Sequence, residues 1–334
     1  MCRYPKVNYI GNKEKIADWI IENLPIREGT VLDLFSGGAS VSYALKKSGF
    51  KVISNDVLYS NYCISKALIE NQNNILKLKM CEDDISSFYL DSVYNKIKWM
   101  SNKVYFDYEV KELSSLVNYS NSLSGYEKYI FLALLRRAMI RKLPYSRMNI
   151  KWEQIIKLRD EELSYKKYKR RRAYHNKSFL FHIKENLEDY NSAVFNNQRC
   201  NRVYQKDAFD MIEHLPQKVD LIYVDPPYPS TMNNYGDFYG GFDIIFDKGI
   251  EYTDFTDRTK FIDNIKKIIE VAKSKTNYIA ISLNNKSKPS YNEIIENVRD
   301  FVSDLWTCKR EHVYQVTGKE NKNISYEILI IMEV

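Results

Sequence analysis

The 334-residue chain predicts an α/β fold, and three stretches carry that reading. Thr30–Phe35 ("TVLDLF") runs into "SGGAS" and then a helical pattern. Lys51–Asp56 ("KVISND") is a second short apolar run, and it ends on an acid. Leu221–Val224 is a third, and it stops at Asp225-Pro226-Pro227-Tyr228. Strand, glycine turn, helix, strand and acid, in that order, open a nucleotide-binding α/β unit.

In chain order, Gly11 permits a turn and Lys13 precedes a helix over Ile16–Asn23. The strand at Thr30–Phe35, the helix Val41–Ser48 and the strand Lys51–Asp56 follow. The next stretch is polar, helical and rich in Lys, Tyr and Asn. Its clearest helix is Tyr126–Lys142, with an apolar stripe at Ile130, Leu134, Leu135 and Ala138. Strands return at Arg202–Gln205 and Val219–Val224. A helix over Thr259–Lys273 and a strand at Tyr278–Leu283 come next. Glu311–Thr317 and Ser325–Val334, around "GKENKN", read as a closing hairpin. The simplest organisation is one α/β domain, residues 1–60 and 200–334, interrupted by a helical insertion, residues 61–199.

Bulk properties narrow the class. A net charge of +7 and a pI near 8.8 suit a polyanionic partner but also many soluble enzymes. The 27 tyrosines suit nucleic acid equally as well as an AT-biased genome. Five cysteines, none in CxxC spacing, and four scattered histidines make no zinc set, so no metal and a reduced, cytoplasmic setting are expected. The start of the chain has no apolar signal region, and no apolar run approaches the roughly 18 residues needed to span a bilayer.

The turn "LDLFSGGAS" places two glycines where a strand must bend into a helix, whose free N–H groups favour a carboxylate or phosphate. Asp56, at the end of the second strand, is suited to accept ribose hydroxyls. The spacing is neither GxGxxG nor a phosphate loop, so a structural turn with a solvated acid is the alternative.

The third run ends on a more specific signal. Pro226 and Pro227 fix two φ angles and cannot continue a sheet, so Asp225–Tyr228 is rigid and sits at the sheet's carboxyl edge. Asp225 can accept one N–H of an exocyclic amine, the Pro226 carbonyl can accept the other, and Tyr228 can stack on a base. An aromatic amine is a poor nucleophile, and two acceptors on its hydrogens would aim its lone pair at an electrophilic methyl. That is catalysis by positioning and electrostatics. Reaching such an amine in a duplex requires flipping the base out.

"FSGGA" followed far downstream by "DPPY" resembles the amino-group DNA methyltransferases that use S-adenosylmethionine. The order, glycine turn first, resembles the alpha group of adenine-N6 enzymes, the Dam-like family often found in restriction–modification systems. The resemblance implies a Rossmann-like methyltransferase sheet with a C-terminal antiparallel hairpin and a helical target-recognition insertion. It implies catalytic roles for Asp225, Pro226, Pro227 and Tyr228. It implies cofactor contacts from Tyr9 and Lys13 in "YIGNKEKI", from Asp33, Phe35, Ser36, Gly37 and Gly38, from Asp56, and from Asp207 and Phe209 in "KDAF". The family usually has F-x-G-x-G; here Ala39 takes the last glycine position, where an alanine is sterically acceptable if φ is negative.

The resemblance also implies double-stranded DNA as partner, with a cognate restriction endonuclease as a possible companion. Within the insertion, "KKYKRRR" (Lys166, Lys167, Lys169, Arg170, Arg171, Arg172) and the upstream Arg136, Arg141 and Arg147 are the expected phosphate contacts; a solvated charged face is the alternative. Tyr235 and Phe238, in what reads as a loop after DPPY, are candidates for closing over a flipped base, or plain loop residues. Two rival functions stand beside this one: methylation of RNA or another amine or amide, and a non-catalytic DNA-binding relative.

Overall fold

The computed structural model describes residues 2–169, 173–229, 235–311 and 326–334, and the chain divides into two compact units. One, the sheet unit, comprises Lys13–Val57, Asn197–Tyr235 and Ile250–Val334. The other, the helical unit, comprises Met1–Asn12, Leu58–Asn196 and Gly236–Gly249.

The sheet unit is built on seven strands: β1 (Thr30–Asp33), β2 (Lys51–Asn55), β3 (Arg202–Tyr204), β4 (Leu221–Val224), β5 (Tyr278–Asn284), β6 (Asp304–Glu311) and β7 (Tyr326–Glu333). Their order is β3-β2-β1-β4-β5-β7-β6. The first five run parallel; β7 is antiparallel to β5 and to β6. β1 and β4 are buried throughout, as central strands of a parallel sheet should be. They are neighbours, with Val31 opposite Leu221 and Asp33 opposite Tyr223. The chain winds outward to β2 and β3 on one side of this pair and to β5 on the other. The β1/β4 seam is therefore the switch point, where α/β sheets open a crevice at their carboxyl ends. Leu32, Ile222, Ile279, Ile281, Ile330 and Ile268 are among the side chains of the core packed on this sheet.

The closing hairpin is present, and its first strand begins earlier than expected: Asp304–Glu311 pairs with β7, with Glu311 opposite Tyr326. Of the expected strand Glu311–Thr317, only Glu311 is among the described residues. Residues 312–325 lie outside those described. The earlier strand was hard to read because it is an edge: only Leu305 is buried, and Lys309 and Arg310 face outward, as edge strands commonly require.

The helical unit is held by the helix Gly125–Arg141, which buries the expected Ile130, Leu134, Leu135 and Ala138 but is not buried along a stripe alone: every residue from Ile130 to Ile140 is buried, so the helix is enclosed on all faces. Tyr105, Phe131 and Phe179 are buried in the same unit. The stretch after DPPY was expected to be a loop. From Tyr235 to Phe246 it is a helix, whose buried face is Phe238, Tyr239, Phe242 and Ile245, a helical spacing that Gly236, Gly240 and Gly241 obscure in the sequence. Gly241 has a packing reason: a Cβ there would stand 2.7 Å from Met148 Sδ. Among the described residues no helix is long and apolar enough to cross a membrane.

Candidate active site at the carboxyl edge of the sheet

β1 delivers the glycine turn, and two main-chain contacts set its shape. Ser36 N–H donates to the Asn55 carbonyl at 2.9 Å, and Gly37 N–H donates to Asp56 Oδ2 at 2.8 Å. The acid at the end of β2 therefore braces the turn that follows β1. Gly37 and Ala39 both have positive φ, +51° and +64°. The condition under which an alanine is easily accommodated at position 39, a negative φ, is not met: the last turn residue is left-handed, the region that favours glycine. The alanine methyl is fully buried.

Asp33, the last residue of β1, is buried. Ser42 Oγ donates to its Oδ2 at 2.6 Å, while Oδ1 has no hydrogen-bond partner among the described residues. Burial, followed by the neighbouring Asp225 and Asp56 carboxyls, pushes its pKa up to about 7.

Asp207 caps the helix Ala208–Glu213, accepting Phe209 N–H at 2.9 Å on Oδ1, and accepts Thr253 N–H at 2.7 Å on Oδ2. Phe209 is buried, with the Lys267 ammonium 4.1 Å from its ring centre. Phe255 lies against both Phe209 and Phe35, at centroid distances of 6.0 and 5.0 Å. The glycine turn and the "KDAF" segment, far apart in sequence, are thus joined through one ring that the sequence did not flag.

β4 delivers the DPPY segment. Asp225 is 19% exposed, Pro226 is buried, and Pro227 and Tyr228 are half-buried, with Tyr228 packed on the core. Lys13, only 5% exposed, places its ammonium 3.4 Å from Asp225 Oδ1 and 3.1 Å from Glu327 Oε2. Its own main-chain N–H donates to Ser40 Oγ, the first residue of the helix after the glycine turn, at 3.2 Å. Lys13 therefore ties the glycine turn to DPPY, and its charge goes to two carboxylates of the protein. Burial pushes the Asp225 carboxyl up to about 6, a rise that Lys13 opposes and Glu327 adds to. Burial likewise pushes the Tyr228 phenol up to about 12, against the pull of Lys13. Four carboxyl groups, Asp33, Asp56, Asp225 and Glu327, thus belong to this sheet edge with one buried ammonium among the described residues. Glu327 was missed; a lone acid heading an apolar closing strand, "YEILII", was the available signal.

The remaining expected site residues lie in the helical unit, apart from Tyr235 and Lys13. Tyr9 stacks on Tyr239 at 5.1 Å. Arg136 is not a surface cation. It is 1% exposed, donates from Nη1 to the carbonyls of Val7 and Asn8 at 2.6 and 3.1 Å, and lies 4.4 Å from the Tyr239 ring centre. Burial among these groups corrects its expected phosphate role. Arg141 and Arg147 are half-buried, their guanidiniums 4.9 Å from the Tyr174 ring and 5.3 Å from the Phe238 ring. Phe238 is buried and so not free to close on a base. Tyr235 is half-buried at the start of its helix. Lys166, Lys167 and Lys169 are exposed, as are Tyr165 and Tyr168, around the end of the helix Glu161–Tyr168. Arg170, Arg171 and Arg172 lie outside the described residues.

Comparison with known proteins follows the same lines. The family described as D12 class N6 adenine-specific DNA methyltransferase matches residues 9–266. The Type II methyltransferase M2.HphI of Haemophilus parahaemolyticus is 43% identical over 99% of this chain and 98% of its own length. The modification methylase StsI of Streptococcus sanguinis is 23% identical over 98% of the chain and 52% of its own length. The Type II methyltransferase M.FokI of Planomicrobium okeanokoites is 27% identical over 67% of the chain and 33% of its own length.

Proposed function

This chain belongs to the D12 class of N6 adenine-specific DNA methyltransferases, and from that premise we propose that it methylates adenine N6 at a specific site in duplex DNA, with S-adenosylmethionine as donor. The observation that carries the reading is the junction at the switch point. The glycine turn after β1 and DPPY after β4 leave adjacent strands at their carboxyl ends and are tied together through Lys13.

The residues present fit a cationic donor. Among the described residues, Asp33 keeps one buried carboxyl oxygen without a hydrogen-bond partner, and the acids of this edge outnumber its buried ammonium. Phe35–Gly38, Asp33, Asp56, Asp207 and Phe209 would hold the donor. When bound, it supplies a methyl group on a sulfonium, which needs no metal to be electrophilic.

The chain's own residues do the rest. Asp225 and the Pro226 carbonyl accept the two amine N–H bonds, and the Tyr228 ring stacks on the extruded base, offsetting part of a flipping cost of a few kcal/mol. With both hydrogens held, the amine lone pair is directed at the methyl, and nothing covalent forms with the protein. Site-specific methylation of this kind serves restriction–modification, so a companion endonuclease cutting the same site is part of the proposal. The sheet unit is read as catalytic. The helical unit is read as target recognition, with Lys166, Lys167 and Lys169 as phosphate contacts.

The test is transfer of labelled methyl from S-adenosylmethionine to duplex DNA, RNA and peptide in parallel. Label on adenine of duplex DNA is expected. Label on RNA or peptide alone would overturn the reading, as would cofactor binding with no transfer at all.

A further inference from the structure

Glu327 is fully buried near the start of β7, opposite Asn284 at the end of β5. Because β7 runs antiparallel, its beginning lies at the carboxyl edge of the parallel strands, with β5 between it and β4, whose end leads into Asp225. A buried carboxylate is costly unless paired. Here it is paired, but with an ammonium already committed to Asp225: Lys13 stands 3.1 Å from Glu327 and 3.4 Å from Asp225. A structural ion pair would need one carboxylate. The second leaves the trio one negative charge in excess, at the place where an amine is to become positively charged.

We propose that Glu327 is a positioning residue for methyl transfer: it holds the Lys13 ammonium on Asp225 Oδ1 and gives the trio the extra negative charge that opposes charge developing on the amine nitrogen. The inference rests on the methyltransferase reading above. In the step, the N–CH₃ bond forms from the amine lone pair, and the S–CH₃ bond breaks with its electrons passing to sulfur. The nitrogen, now cationic, gives up one proton to the Asp225 carboxylate that was accepting it, and from there to water, since Asp225 is partly exposed. The other ionisable groups that bear on Asp225 and Asp33 are Tyr223, Tyr228 and Asp56. Of all these groups only Lys13 is a cation.

The test is Glu327→Gln in the full-length protein, which keeps an acceptor for Lys13 and removes the charge. Three quantities are measured on one preparation: kcat, the pH profile of kcat/KM between pH 5 and 9, and cofactor affinity by titration. The inference predicts a fall in kcat of about tenfold or more and an acid limb displaced to lower pH, because one anion beside Asp225 is gone. Cofactor affinity stays within a few-fold. Wild-type kcat with an unmoved acid limb would overturn it. Should Glu327→Gln melt below the assay temperature, kcat and the acid limb are read at a lower temperature where it is folded, beside Glu327→Asp, which keeps the charge. Lost kcat in folded Glu327→Gln with most of it kept in Glu327→Asp supports the proposal, and wild-type kcat in folded Glu327→Gln refutes it. Wild-type protein that transfers no methyl to DNA would sink the underlying reading instead.

Discussion

The Lys13 ammonium lies 3.4 Å from Asp225 Oδ1, on the first rigid residue past β4. Despite that cation, burial and Glu327 leave the Asp225 carboxyl raised to about 6. The amine-accepting form is the ionised one. In the proposed mechanism kcat/KM should therefore fall as pH drops through about 6 and level off above it. For stability the sign is opposite: a raised acid favours the folded state below its unfolded value, near 4, and that contribution is lost as pH rises through about 6. Activity rising with pH over a range where Asp225 contributes less to stability is the expected signature, checked by initial rates and thermal melts on the same buffers.

Asp33 carries the same logic further. Its carboxyl, raised to about 7 by burial with Asp225 and Asp56 adding, is costly to ionise in the folded protein. Asp33→Asn keeps an acceptor for the Ser42 hydroxyl while removing the charge. The variant should melt higher than wild type at pH 8.5, with stabilisation on the order of a few kcal/mol, and the gap should close toward pH 5. In the proposed site it should also bind the sulfonium cofactor more weakly. Equal melting curves at both pH values would contradict the assigned burial.

Ala39 pays for a left-handed φ of +64° in a fully buried turn. Replacing it with glycine removes a cost of roughly 1 kcal/mol, and fills no new space. Ala39→Gly is expected to raise the melting temperature by about 2–4 °C, read by calorimetry. A lowered Tm would mean that the alanine methyl contributes more through packing than its backbone loses.

Two sets of basic residues should separate in a salt titration of DNA binding. Lys166, Lys167 and Lys169 are exposed; Arg136 is buried on the carbonyls of Val7 and Asn8. Neutralising the three lysines to glutamine should flatten the slope of log K against log salt by about 2 to 3 units if each meets a phosphate. Arg136→Ala should leave the slope alone and destabilise the protein by about 3 kcal/mol, since two buried carbonyls lose their donor.

The parts of this molecule that declared themselves in the sequence are those where chemistry and backbone coincide. Apolar runs ending in SGGAS and DPPY can be little but buried parallel strands with ligand-edge turns, and β1, β2 and β4 begin or end within two residues of the expected positions. The Tyr235–Phe246 helix was hidden because three glycines suppress helical propensity, and its reason for forming is tertiary: a tight approach to Met148. Strand β6 was hidden because its outward face is charged. Arg136 illustrates the converse. A cation in a basic stretch reads as surface, yet its guanidinium is buried beneath tyrosine rings that sequence spacing could not place there. Glu327 and Phe255 join the site only through the fold of distant segments.

The measurement closest to the central claim is modified-base sequencing of DNA from cells expressing the wild-type chain or Asp225→Ala. The account predicts N6-methyladenine at one recurring sequence motif in the first, and loss of that mark in the second, while the purified variant still binds S-adenosylmethionine and melts near the wild type. An undiminished adenine mark in the Asp225→Ala cells, or methyl groups on cytosine instead, would contradict it.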